Sequence, residues 1–159
     1  MLRIIKILFF AFLAINIYAQ EALNSSVLAS GKWFKIALTE DGVYKIDYSK
    51  LKQLGLDNPS KPKIYSANWG QLSYYNNDQK PDDLKEMAIY FSGSNDDLKE
   101  GEYILFYGKG PNRWDYDDTN NTYNHIRHNY SDTAYYFLTS DNLPVKKISV
   151  TDSAITANY

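Results

Sequence analysis

Large apolar residues alternate with Lys and Ala in the run FKIAL, residues 34–38. A period of two is typical of a strand with one buried face. The dipeptide Asp41-Gly42 is suited to a tight turn with positive φ, and the run VYKID after it predicts a returning strand. These residues together predict an antiparallel β-hairpin.

One short helix is predicted directly after this hairpin. Asp47 or Ser49 can cap its start, because their side-chain oxygens accept backbone N–H groups that have no partner within the helix. Leu51 and Leu54 supply its apolar side. Gly55 stands where a glycine commonly ends a helix.

Most of the remaining apolar runs predict strands. The run YILFYG is apolar on both faces, which favours a central strand. The segment PNRWDYDDTNNTYNHIRHNYSD is read as a long polar and aromatic excursion. The other predicted strands are KIYSA, MAIYFSG, TAYYFLTSD and KKISV. Short strands separated by turn signals predict a mainly β fold, an antiparallel β-sandwich-like domain with one or two short helices.

The first 19 residues predict a secretory signal peptide. Arg3 and Lys6 precede a short apolar core, and cleavage is expected between Ala19 and Gln20. The apolar core is short for a helix that crosses a bilayer, so no transmembrane span is predicted. The predicted divisions are a signal peptide at 1–19, a loose lead-in at 20–30, a β-rich domain at 31–150, and the start of a truncated continuation at 151–159.

Charge and cysteine content narrow the possible functions. The chain has 17 basic and 19 acidic residues, and two of the basic ones lie in the predicted signal peptide. An acidic mature chain argues against a nucleic-acid partner and against binding to an anionic membrane surface. The sequence has no cysteine, which excludes disulfides, thiolate metal ligands and a cysteine nucleophile within it.

The sequence Gly108-Lys109-Gly110 follows an apolar run, as a phosphate-binding loop would. The Walker pattern and the dinucleotide-binding pattern both require further residues at fixed spacing, and these are absent here. We therefore predict a turn in which the glycines take positive φ and Pro111 ends the strand pairing.

Two groups of residues are candidate metal ligands. His125 and His128 lack the accompanying Glu of a zinc-binding helix, so two surface histidines are predicted and no metal. The run SNDDLKEGE does not match an EF-hand register. It predicts a solvated connector, with Asp96, Asp97 and Glu100 as calcium candidates and no other cofactor.

Several aromatic residues are predicted to lie in or beside loops. Trp69, Trp114 and Tyr116 are the candidate binding residues among them, because exposed aromatic rings stack on sugars or anchor a partner protein. The alternative is that these rings pack beneath the loops that carry them. No catalytic residue is predicted in this chain.

Four blocks of sequence, in order, resemble the N-terminal region of the PorU-like sortases of the type IX secretion system, a gingipain-type cysteine peptidase family of Bacteroidetes. The resemblance covers residues 27–142. The blocks are SGKWFKIALTEDGVYKIDYSKLKQLG, DDLKEMAIYFSG, EGEYILFYGKGPNRWDYD and HNYSDTAYYFLTSD.

The resemblance implies that the full-length protein is exported through the inner membrane to the periplasm or the outer-membrane surface. There it would remove C-terminal sorting signals from secreted cargo and attach the cargo to the cell surface, using a cysteine activated by a histidine. The implied partners are the downstream peptidase domain, other type IX components and cargo. The catalytic residues would lie in that downstream domain, so we expect this chain to be inactive alone.

Two other interpretations remain open at this point. One is a propeptide-like N-terminal segment of another secreted gingipain-type protease. The other is a stand-alone surface module that binds glycan or protein through its loop aromatics.

Overall fold

The computed structural model describes residues 25–67, 70–93 and 95–149. The predicted cleavage site at Ala19 and Gln20, the candidate binding residue Trp69, and the predicted continuation at 151–159 lie outside the described residues.

The described chain is mainly β, as predicted, with one α-helix and one short 3-10 turn at Val27–Ala29. The elements are β1 Phe34–Leu38, β2 Gly42–Asp47, α1 Tyr48–Leu54, β3 Pro62–Ser66, β4 Lys85–Glu86, β5 Tyr90–Phe91, β6 Tyr103–Gly108, β7 Arg113–Asp117, β8 Thr122–Ile126 and β9 Ala134–Ser140.

The strands form two main sheets and a separate hairpin. The first sheet has the strand order β1-β9-β3-β4, the second has the order β2-β6-β5, and β7 pairs with β8 alone. Every pair of neighbouring strands is antiparallel. The run YILFYG forms β6 in the centre of the second sheet, which confirms its predicted central position.

The predicted hairpin of β1 and β2 is wrong. β1 pairs with β9 and β2 pairs with β6, so the two consecutive strands lie in different sheets. Gly42 does not have the predicted positive φ. Alternation gives each strand one apolar face, but it does not specify the neighbouring strand. Here both faces are buried best when the strands lie on opposite sides of one core.

The two main sheets contribute side chains to a common core. The ring of Phe106 on β6 lies 5.7 Å from the ring of Tyr136 on β9, and both residues are buried. Burying one such side chain contributes about 1.5–3 kcal/mol. The other buried apolar residues are Leu38, Leu51, Leu56, Ile64, Ile89, Phe91, Leu98, Ile104 and Leu138.

Helix α1 follows the predicted pattern. Asp47 is its N-cap residue by backbone conformation, although its side chain makes no capping hydrogen bond. Leu51 is fully buried in the core. Gly55 ends the helix with φ +75°, and its backbone N–H donates to the carbonyl of Lys52 at 2.9 Å. The buried side and the end of this helix were therefore predictable from local sequence, whereas the predicted capping hydrogen bond at its start is not formed.

The run KKISV was predicted as a strand, and the structure does not form one over its described residues 146–149. A single parallel bridge joins Lys147 to Ile89 there. The predicted strand MAIYFSG is also shorter than expected, since only Tyr90 and Phe91 pair with β6. The two runs lie beside each other at this bridge, but most of their described backbone does not take part in a ladder.

Candidate functional site

The segment predicted as a polar and aromatic excursion forms the β7–β8 hairpin. Its turn is organised by Asp117, whose carboxylate accepts the side-chain amide of Asn120 at 2.8 Å and the backbone N–H groups of Asn120 and Thr119 at 3.2 and 3.0 Å. These hydrogen bonds hold the pKa of Asp117 below its usual value, and the bond from the Asn120 side chain has the largest effect. Asn121 takes the left-handed conformation with φ 51°, which Asn tolerates better than most residues.

Four aromatic rings share one face of this hairpin. Trp114 lies opposite His125, and Tyr116 lies opposite Tyr123. The two ring pairs have centroid separations of 4.6 and 5.0 Å. Because opposite residues, and residues two apart, point to the same side of a strand pair, the rings form one continuous surface. We call these four residues the aromatic ladder.

The aromatic ladder is exposed to solvent. The exposed fractions of Trp114, Tyr116 and Tyr123 are 66, 48 and 65%. Neither main sheet pairs with the hairpin among the described residues, and about half or more of each of these three side chains remains open to solvent. Clustered exposed aromatic residues are typical of binding surfaces, since they bury a large area with little loss of side-chain freedom.

The sequence identified half of the ladder. Trp114 and Tyr116 were predicted as candidate binding residues, and the structure brings them together on one face with Tyr123 and His125. The signal for the full set is present in the sequence, because RWDYD and TYNHI alternate aromatic and polar residues on either side of the turn-forming DTNN. The prediction of a single excursion over this segment therefore missed the hairpin.

The two histidines have separate surroundings. His125 stacks on Trp114, whereas the Nδ1 atom of His128 accepts the backbone N–H groups of Tyr130 and Ser131 at 3.1 and 3.0 Å. His128 therefore orders a turn. Within the described residues, no group of three or more His, Cys, Asp or Glu side chains is placed to hold a metal ion.

The three calcium candidates are each placed beside a different lysine. Asp96 is 2.7 Å from Lys147 Nζ, and this hydrogen bond lowers the pKa of the carboxyl. Asp97 is 3.5 Å from Lys61 Nζ. Glu100 is 3.4 Å from Lys52 Nζ. A calcium ion would have to compete with these lysines, and its binding stays a prediction.

A second exposed aromatic group joins two loops. The hydroxyl of Tyr74 accepts hydrogen bonds from the hydroxyl of Tyr130 at 3.1 Å and from the amide of Asn129 at 2.9 Å. These donors lower the pKa of Tyr74, while donation to Tyr74 raises the pKa of Tyr130. The contacts tie the loop after Gly70 to the segment that follows the hairpin.

The Gly108-Lys109-Gly110 turn has no phosphate-binding geometry. The backbone N–H of Lys109 donates to the hydroxyl of Tyr136 at 2.6 Å, and that of Gly110 donates to Asp41 Oδ1 at 2.7 Å. A phosphate cradle needs such amides to be free to point at the ligand. Here the protein itself already occupies them.

The predicted reason for these glycines is wrong, because neither Gly108 nor Gly110 has positive φ. Both glycines instead lie where the chain passes close to its neighbours. A Cβ atom at Gly110 would lie 2.9 Å from the carbonyl oxygen of Thr39, and one at Gly108 would overlap the side chain of Leu38. The turn packs directly against the chain that connects the two sheets.

No helix among the described residues is long and apolar enough to cross a membrane. No protein-family model matches the chain, and no curated protein matches it.

The chain is similar to part of a solved structure, the crystal structure of dimeric latent PorU from Porphyromonas gingivalis. The identity is 29% and the TM-score is 0.65, and the match covers 78% of this chain and 11% of that one. The chain therefore spans about a tenth of the length of the PorU chain. This likeness supports a PorU-like relationship at the level of the fold.

Proposed function

We propose that this chain is a non-catalytic N-terminal domain of an exported, PorU-like sortase of the type IX secretion system. The observation that carries the proposal is the fold similarity to a small part of PorU, at 29% identity. The absence of cysteine from the sequence fits a domain that leaves the chemistry to another part of the protein.

The domain's role in this proposal is to support and position a downstream peptidase domain. The whole protein would reside in the periplasm or at the outer-membrane surface, remove sorting signals from cargo and attach the cargo to the cell surface. The domain itself would contribute contacts and no chemistry, because it combines a buried apolar core with an exposed aromatic ladder.

The first test is to read the coding DNA beyond Tyr159. We expect the frame to continue into a domain that contains a His and a Cys. A stop codon directly after Tyr159 would contradict the proposal. As a biochemical check, residues 20–159 alone should cleave no peptide substrate, and cleavage that persists through purification would show that catalysis resides in this chain.

The second test removes the domain in the host. Deleting the codons for residues 25–149 should leave type IX cargo with its sorting signals uncleaved, as read by mass spectrometry of cargo C-termini. A strain with Lys99→Ala, an exposed lysine outside the ladder, is the control. Normal cargo processing in the deletion strain, with the shortened protein present at normal level, would contradict the proposal.

A propeptide-like segment of another gingipain-type protease would differ in its processing. We expect N-terminal sequencing of the mature protein to find this domain still attached. A mature enzyme that starts after residue 149 would favour the propeptide.

The exposed aromatic ladder favours a second candidate function, a surface module that binds glycan or protein. Residues 20–159 would then bind members of a glycan panel, and Trp114→Ala would abolish that binding. Tyr75→Ala, which removes an exposed ring outside the ladder, is the matched control. A chain that binds no member of the panel, or whose binding survives Trp114→Ala, would rule out the glycan form of this candidate.

A further inference from the structure

A groove lies between β1 and β2, which belong to different sheets. Its volume is about 440 Å³. The apolar side chains that line it come from both sheets and from α1, and they are Phe34, Ile36, Ile46, Leu54 and Leu138. The base is part of the core, since Leu138 is fully buried.

The groove arises from the unexpected separation of β1 and β2. Each is the outermost strand of its sheet, so among the described residues no strand pairs with the free edge of either. Phe34, Ile36 and Ile46 point toward the core but are only partly buried. A free strand edge beside a partly covered apolar face is the arrangement to which an extended peptide adds as a further strand.

The rim of the groove is positively charged. Lys35, Lys45 and Lys50 line it together with a single acid, Asp47. All four are exposed, and Lys45 Nζ lies 2.8 Å from the Asp47 carboxylate. Three lysines around one acid make this rim basic, although the chain as a whole has a net charge of −2. A ligand that carries acidic groups would therefore complement the charge of this rim.

We propose that this groove binds an extended segment of a partner polypeptide in which apolar and acidic residues alternate. The segment pairs with a free strand edge, and every second side chain enters the groove to cover Phe34, Ile36 and Ile46. The intervening carboxylates face the lysines on the rim. The site is separate from the aromatic ladder, and the proposal does not depend on the role of the ladder or on the sortase assignment.

The binding test uses residues 20–159 and two fluorescein-labelled peptides of seven residues. One alternates Glu with Val and the other alternates Lys with Val. Fluorescence anisotropy should show that the Glu peptide binds at least about ten-fold more tightly than the Lys peptide, and that this preference falls as salt is raised. Equal affinity for the two peptides, or no binding of the Glu peptide, would overturn the proposal.

The location is tested by amide hydrogen exchange with the Glu peptide bound. Protection should rise in residues 34–38 or 43–47, where a new strand would add its hydrogen bonds. Protection that rises only elsewhere would overturn the proposal. So would light scattering that shows the groove to be covered by a second copy of the chain, with dimerisation lost in Lys35→Glu/Lys50→Glu.

Reversing the charge of the rim lysines distinguishes binding at this groove from nonspecific attraction of an acidic peptide to exposed lysines. Lys35→Glu/Lys50→Glu should weaken Glu-peptide binding by about ten-fold or more and strengthen Lys-peptide binding. Lys99→Glu/Lys109→Glu makes the same change in net charge at exposed lysines outside the groove, and should leave the preference for the Glu peptide in place. Equal losses in the two variants would show that net charge alone attracts the Glu peptide, and would overturn the proposal.

Discussion

The hydroxyl of Tyr136 accepts a hydrogen bond from the backbone N–H of Lys109 at 2.6 Å and donates one to the carbonyl of the same residue at 3.0 Å. Tyr136 lies on β9 in the first sheet, and Lys109 directly follows β6 in the second. One buried side chain therefore joins the two sheets. Burial raises the pKa of Tyr136, so the hydroxyl keeps the proton that it donates.

Replacing Tyr136 by Phe should therefore destabilise the fold by about 1–3 kcal/mol, because both polar groups of Lys109 lose their partner in a partly buried place. Urea unfolding monitored by circular dichroism measures the change. Tyr135→Phe, in which the altered hydroxyl belongs to an exposed neighbour, should cost less than about 0.5 kcal/mol. Equal losses would show that the Tyr136 hydroxyl does not join the sheets.

Gly110→Ala should destabilise the fold by about 1–3 kcal/mol, since the added methyl group would press on the backbone of Thr39 and Glu40. Thermal unfolding is a suitable measurement. Gly42→Ala is the matched control, because a Cβ atom there would meet only the Tyr44 ring at an ordinary 3.8 Å. If Gly110→Ala were as stable as Gly42→Ala, close packing would not be the reason for glycine at position 110.

Stability should decrease in acid partly through Asp83. Its carboxylate accepts the backbone N–H of Val27 at 2.6 Å, that of Leu84 at 2.8 Å and the hydroxyl of Ser26 at 2.9 Å. These hydrogen bonds lower the pKa of Asp83 from 3.8, and the bond from Val27 has the largest effect. The unfolded chain then binds the proton more readily than the folded one. The stability that the Asp83 carboxylate contributes is fully present above pH 3.8, and it is lost as the pH falls through the lower pKa of the folded state.

Urea unfolding between pH 6 and pH 2 tests this assignment. Asp83→Asn should be less stable than the parent protein near neutral pH, and the difference should shrink in acid. Asp82→Asn, at the exposed neighbouring position, should follow the parent profile. A constant difference between Asp83→Asn and the parent at every pH would mean that the charge of Asp83 has no part in stability.

Trp114→Ala should lower the free energy of unfolding by less than about 1 kcal/mol, which is the range for a cross-strand pair on an exposed surface. Phe106→Ala should cost about 3–5 kcal/mol, because Phe106 is buried between the sheets. The two free energies of unfolding, measured in urea, separate a binding surface from a core. A loss for Trp114→Ala as large as that for Phe106→Ala would show that the ladder is structural.

The candidate site was partly predictable. The exposure of Trp114 and Tyr116 follows from their place in a polar segment, and the close contact of Trp114 with His125 follows once the segment is recognised as a hairpin. The groove was not predictable. It depends on β1 pairing with β9 and on β2 pairing with β6, so that Phe34 lies opposite Leu138 and Asp47 lies opposite Tyr103, residues far apart in the sequence.

The sequence by itself determined the elements whose signals are local. Alternation defined β1 and β2, the continuous apolar run defined β6, and Leu51 with Gly55 defined the buried side and the end of α1. Each of these signals acts within a few residues, through the direction in which side chains point or the backbone conformation that a residue tolerates.

Only the tertiary structure decided which strands pair, why Gly110 must be glycine, and where the groove opens. These features depend on contacts between residues far apart in the chain, such as Tyr136 with Lys109 and Gly110 with Thr39. Strand alternation is satisfied equally by several neighbours. The choice among them is made by how well the two apolar faces fill one core, which no short stretch of sequence contains.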